Sequence, residues 1–295
     1  MLAVRDTLGA CEQRLGRGPH SIPTVAIVGA SYTAGVGPGV SSLSWAAVLA
    51  KTLHWNAVIY GVPGAGYVSK GDSSLGPVSH MIEAERLRGL DPALVIVQAG
   101  HDDGGVPSAV ERRQVEATIE EIRAQAPHAR IALLTVFTKP ATTHWLEFYR
   151  TDRAIVTAAR AADPSAIIMD PFTGRWKFAH FHGGLHPTAS GDAQIARRVA
   201  AILRSQGIAA ATRATTAPVT CQVSIGVGGG AANTRAVSRD ALSREVGEQG
   251  VGDRARPLVV GEVGGGLDDG QSGARDGAGG VRADRGRRGD VLRAG

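Results

Sequence analysis

Two short stretches carry the residue types that acyl transfer needs. Val25-Ala-Ile-Val-Gly-Ala-Ser31 is an apolar, β-type run that breaks at Gly29-Ala30-Ser31. Far downstream, Gly184-Leu-His-Pro-Thr-Ala-Ser-Gly191 sets a histidine before a proline and the start of a helix. A serine on a tight strand-to-helix turn presents its hydroxyl, and a histidine can take the proton from it. Ser31 and His186 are therefore the candidate nucleophile and base. Each has a plainer alternative: Ser31 as the N-cap of the next helix, and His186 as a surface residue at a helix start.

Other chemistries fit less well. A G-x-S-x-G elbow needs glycine where Thr33 stands, which disfavours the α/β-hydrolase fold. The glycines of Gly35-Val-Gly-Pro-Gly39 are not followed by the Lys-Ser/Thr of a phosphate loop, so a flavodoxin-like nucleotide or phosphate binder is a weaker reading. His180, His182 and His186 form an H-x-H-x-x-x-H cluster with no acidic or thiol partner nearby, so no metal is expected. Cys11 and Cys221, far apart and outside any C-x-x-C, argue against a disulfide framework.

These residues need a scaffold, and the hydropathy pattern predicts one. Strands are expected at 24–28, 57–60, 93–98, 131–136 and 166–169. Between and after them come helical patterns at 44–53, 78–90, 108–125, 145–162 and 188–205, the third capped by Ser108 with Glu111 three residues on. Alternating strands and helices, with strands apolar on both faces, imply a parallel sheet covered on both sides. In such sheets ligands bind at the carboxyl ends of the strands. Ser31, the 61–66 loop and the 100–105 loop all leave that rim.

Gly29-Ala-Ser31, Gly61-Val-Pro-Gly64, Gly100-His-Asp-Asp103 and His186-Pro-Thr together resemble the four blocks of the SGNH hydrolases, also called the GDSL family. The resemblance spans about residues 22–206. It implies a three-layer α/β/α, flavodoxin-like fold with a five-stranded parallel sheet. It also implies hydrolysis or transfer of acyl groups on lipids, acylated sugars or small esters, with no cofactor. Carried over by position, Ser31 is the nucleophile and His186 the base. The backbone N–H groups of Ser31 and Gly64 belong to the oxyanion hole. Two positions depart from the family pattern. Asp102 stands where an asparagine donates to the oxyanion; a carboxylate can donate only when protonated, and Asp103 beside it favours protonation by like-charge repulsion. Gly183 replaces the usual triad aspartate. The resemblance leaves a Ser–His dyad with a backbone carbonyl, or Asp170 or His182, to orient the imidazole. These losses motivate the alternative of a catalytically weakened binding module for an acyl or glycan ligand.

The remaining expectations come from composition. The 295 residues are 43% hydrophobic and carry a net charge of +5, without a dense basic block interleaved with aromatics, so nucleic acid is not an expected partner. No run is long and apolar enough to span a membrane. The charged start, with Arg5 and Asp6, lacks a signal peptide; as written the chain is expected to be cytoplasmic, and exported if an upstream start precedes it. Residues 1–21 read as an extension and 22–210 as the hydrolase-like domain. Residues 213–295 contain no Phe, Trp, Tyr, Lys, His or Met, so 211–295 reads as a disordered tail or as the product of a frameshift in a GC-rich gene.

Overall fold

In the computed structural model every strand pairs in parallel with its neighbour. The structure describes residues 22–85, 87–137, 144–180, 184–208, 210 and 218–224, with positions 6, 8–10, 13 and 15 before them. The strands are β1 (Thr24–Gly29), β2 (Asn56–Gly61), β3 (Leu94–Gln98), β4 (Arg130–Leu134), β5 (Ile167–Met169) and β6 (Thr220–Ser224). Their order across the sheet is β5-β4-β3-β1-β2-β6, so β1, which ends at the candidate nucleophile, lies inside the sheet.

The double-sided apolar strands are explained by helices on both faces. Val25 and Ile27 pack into one cluster with Trp45, Leu49 and Leu53 of α2 (Trp45–Leu53) and with Ile195, Val199 and Leu203 of α7 (Ala189–Ser205). Ala26 and Val28, one residue out of phase, face the other cluster. That side is built from α3 (Val78–Glu85), α4 (Leu87–Leu90), α5 (Ser108–Gln125) and α6 (Trp145–Ala162). The period-two alternation of strand side chains produces this division. Leu49 is fully buried; truncating such a side chain to alanine costs about 2–5 kcal/mol.

Helix starts are set by side chains near the rim. Ser44 caps α2 by accepting from the N–H of Ala47 at 3.3 Å. Thr188 caps α7 by accepting from Gly191 N–H at 3.2 Å. The expected cap at Ser108 does not form: Pro107 occupies the N-cap position, and Ser108 is already the first helical residue. Glu111, expected to reach back toward the cap, is fully buried instead.

The sheet has six strands rather than five. The extra one, β6, comes from the stretch whose composition argued against structure. Its Thr-Cys-Gln-Val-Ser sequence is locally strand-compatible, and the outer edge of β2 offers unpaired backbone groups to it. Cys221 and Val223 are buried in one core, while Gln222 reaches Ser44 Oγ at 3.4 Å on the other side. Average composition over a long window hides a five-residue strand. Cys221 is also disulfide-bonded, contrary to the reading of cysteine spacing; Cys11, the other cysteine in the chain, lies outside the described residues.

Candidate active site

β1 delivers Ser31 through a turn that only a glycine permits. A Cβ on Gly29 would sit 2.3 Å from Thr33 Oγ1 and 2.7 Å from the Gln98 carbonyl. Gln98 fastens the turn from β3: its Oε1 accepts from Thr33 Oγ1 at 2.9 Å, and its carbonyl accepts from Ala30 N–H at 3.1 Å. Ala30, not Ser31, is the N-cap of the short helix α1 (Ser31–Ala34). The hydroxyl of Ser31 is thereby left available for another partner.

That partner is His186. Its Nε2 lies 2.9 Å from Ser31 Oγ, across 155 residues of sequence. The loop carrying the histidine is pinned on either side. Tyr32 O–H donates to the Leu185 carbonyl at 2.8 Å, and Thr188 N–H donates to the Ala179 carbonyl at 2.9 Å. Gly37 lets the loop after α1 press against it, since a Cβ there would lie 2.0 Å from the Pro187 carbonyl oxygen.

Gly64 follows β2 with φ +75, a left-handed conformation suited to glycine. No protein acceptor among the described residues takes the N–H of Ser31 or of Gly64. Among the described residues nothing therefore competes with an incoming oxygen for either donor.

Asp102 and Asp103 sit in a 3-10 turn after β3, with Gly100 at φ 108. The two carboxylates behave differently. Asp103 is fully buried and accepts the N–H groups of Tyr67 (2.7 Å), Val68 (3.1 Å) and Ser69 (2.8 Å). Ser69 Oγ donates to the Asp102 carbonyl at 2.7 Å. The 61–71 loop and the 100–105 loop are therefore tied together. Asp102 is half-buried, and burial first, then Asp103, then Asp72, pushes its carboxyl up to about 6. Its charge also reaches Tyr32, the neighbour of Ser31, where it helps hold the phenol protonated after burial and Asp192.

Sequence reasoning missed Glu111 as part of this region. Burial and the adjoining Asp103 carboxylate push it up to about 9, which makes it a neutral acid at ordinary pH. Nothing in a polar helix marks one glutamate as inward-facing. Gly183 and His182 lie outside the described residues. Asp170, the other suggested orienter, is engaged locally, accepting from Thr173 N–H at 2.8 Å. No group of three His, Cys, Asp or Glu side chains among the described residues is arranged to hold a metal ion.

A serine hydroxyl against a histidine, open backbone donors and a rim position suit acyl transfer. Residues 27–194, more than half of the chain, match the model of the GDSL-like lipase/acylhydrolase family. The chain belongs to that family. Similar folds recur among solved structures. A carbohydrate esterase family 2 enzyme with a carbohydrate-binding domain from Corynascus thermopiles (Myceliophthora fergusii) aligns at TM-score 0.53 and 18% identity, covering 64% of this chain and 68% of that one. A family two carbohydrate esterase from Cellvibrio japonicus aligns at 0.51 and 15%, covering 63% and 62%. TesA aligns at 0.51 and 21%, covering 62% of this chain and 99% of its own. No curated protein is similar enough to count as a relative.

Proposed function

We propose that this GDSL-family protein is a serine hydrolase that cleaves carboxylic esters of lipids, acylated sugars or small alcohols. The contact of His186 Nε2 with Ser31 Oγ at 2.9 Å carries the reading. In the proposed mechanism His186 takes the hydroxyl proton as Ser31 Oγ attacks the ester carbonyl. The tetrahedral oxyanion is stabilised by the N–H groups of Ser31 and Gly64, and by Asp102 when it is protonated. Collapse breaks the ester C–O bond, and His186 returns the proton to the departing alkoxide. Water, deprotonated by His186, then attacks the acyl-enzyme; the acid leaves and Ser31 is regenerated. None of these steps calls for a metal or an organic cofactor.

The test is a fluorophosphonate label together with hydrolysis of short p-nitrophenyl esters. The wild type should take up the label and release p-nitrophenol, and Ser31→Ala should do neither. Labelling that persists in Ser31→Ala would overturn the assignment.

A further inference from the structure

Among the described residues the exposed large hydrophobic side chains are Val40, Leu43, Trp145, Leu146 and Tyr149. A hydrophobic side chain on the surface is ordinary singly; a group confined to one region is not. All five lie on segments that leave the carboxyl ends of strands, the rim that also carries Ser31. Val40 and Leu43 follow β1 and α1. Gly37, in the same loop, packs on Pro187 and the Cβ of His186. Trp145, Leu146 and Tyr149 open α6 after β4. Phe148 in that turn stacks on His101 with ring centroids 4.8 Å apart, next to Asp102. One apolar group thus shares a loop with the glycine that packs on the base, and the other flanks the phenylalanine that stacks on the Asp102 loop.

The second group is preassembled. Trp145 and Tyr149 stack with centroids 5.0 Å apart and planes 7° from parallel, and Phe172 backs Trp145 at 5.7 Å. Yet Trp145 remains 54% exposed. Indole and phenol rings combine an apolar body with a polar edge, the chemistry favoured at a membrane–water boundary. The exposed charge around it is mainly of one sign, the acids Asp102 and Asp170 on the same rim being half-buried. Arg150 and Arg153 are exposed along α6, and Arg175 and Lys177 are exposed after β5. The exposed acid in the first turn of α6, Glu147, lies 3.2 Å from His144 Nδ1. The 36–44 loop on the other side carries no charge at all.

We infer that this rim docks on the surface of an anionic lipid aggregate, with Trp145, Leu146 and Tyr149 on one side of Ser31 and Val40 and Leu43 on the other entering the headgroup layer. Docked this way, the protein draws its ester from the lipid surface rather than from solution. The substrate class rests on reading Ser31 as the nucleophile; the docking itself does not, because it needs no turnover. Apolar side chains enter the boundary while Arg150, Arg153, Arg175 and Lys177 meet the anionic headgroups.

The test uses the full chain carrying Ser31→Ala, so that vesicles are not consumed. It is sedimented with vesicles of equal parts phosphatidylglycerol and phosphatidylcholine, and with phosphatidylcholine alone. Binding to the mixed vesicles should exceed binding to the neutral ones and weaken about tenfold with added Trp145→Ser or, independently, Leu43→Ser. Circular dichroism checks that each variant is folded. Failure to bind the mixed vesicles, or binding unchanged in both variants, would overturn the inference. A dimer in sedimentation velocity that Trp145→Ser dissolves would assign the patch to a second copy of the chain. Quenching of tryptophan fluorescence by soluble oligosaccharides but not by vesicles would assign it to a glycan. Vesicle binding by the Ser31→Ala protein, alongside a wild type that takes no fluorophosphonate label, would leave the docking in place and remove the esterase reading.

Discussion

The Asp103 carboxylate fills the space that a side chain on Gly66 would need: a Cβ built there lies 2.2 Å from each of its oxygens. The glycine allows the 61–71 loop to wrap a carboxylate with three consecutive N–H groups. Gly66→Ala should therefore push that loop, which carries Gly64, off its seat. The expected cost is about 1–3 kcal/mol in urea unfolding, as for overpacked sites. The ester hydrolysis rate should fall further than the unfolded fraction explains, because Gly64, the proposed oxyanion donor, moves with the loop.

Glu111 against Asp103 makes stability depend on pH. The folded-state value of Glu111, about 9, lies above the ordinary glutamate value of 4.5. The folded state therefore holds this proton more tightly than the unfolded chain. The stabilisation is complete below about 4.5 and is lost progressively as pH rises toward 9. Glu111→Gln keeps a neutral, hydrogen-bonding side chain at every pH. Thermal unfolding from pH 5 to 9 should show a falling Tm in the wild type and a flatter curve in the variant.

Asp102 should make the rate depend on its protonation. With a carboxyl titrating near 6, it can donate to the oxyanion below that pH and repels it above. Asp102→Asn supplies a donor at all pH values. The ratio of variant to wild-type kcat should be near one at pH 5 and climb by about 100-fold at pH 8, two units above the Asp102 value, a size that a single oxyanion donor can account for. A ratio flat across this range would remove Asp102 from the oxyanion site.

His186 and Ser31 should act as a unit. Replacing either with alanine should lower kcat by about 10⁴-fold or more, and replacing both should cost little beyond the larger single effect. Kinetics of the two single variants and the double variant on one p-nitrophenyl ester measure this non-additivity. Additive losses would mean that the hydroxyl and the imidazole work separately.

Much of this architecture was legible in the residues because it depends on local pattern. The apolar run from Thr24, the helical patterns of α5 and α6, and the closing helix α7 are all written within a few turns of chain. The cap at Ser108 was misread because Pro107 at φ −57 already occupies the N-cap position. β6 was missed because a long glycine-rich window averages away five strand-forming residues. The disulfide at Cys221 was missed because spacing along the chain says little about distance through space.

For the site, the sequence by itself determined the chemical groups: a serine at a strand end, a histidine before a proline, a glycine at position 64, and paired aspartates at 102 and 103. Those are properties of residue type and order. Only the tertiary structure decided that Ser31 and His186 meet at 2.9 Å, that Asp103 rather than Asp102 is the buried fastener, and that Glu111 turns inward beside it. The physical reason is that burial and proximity between distant segments arise from sheet order and helix packing. These set the hydrogen-bond partners of a carboxyl and its proton affinity, and neither is written in its neighbours along the chain.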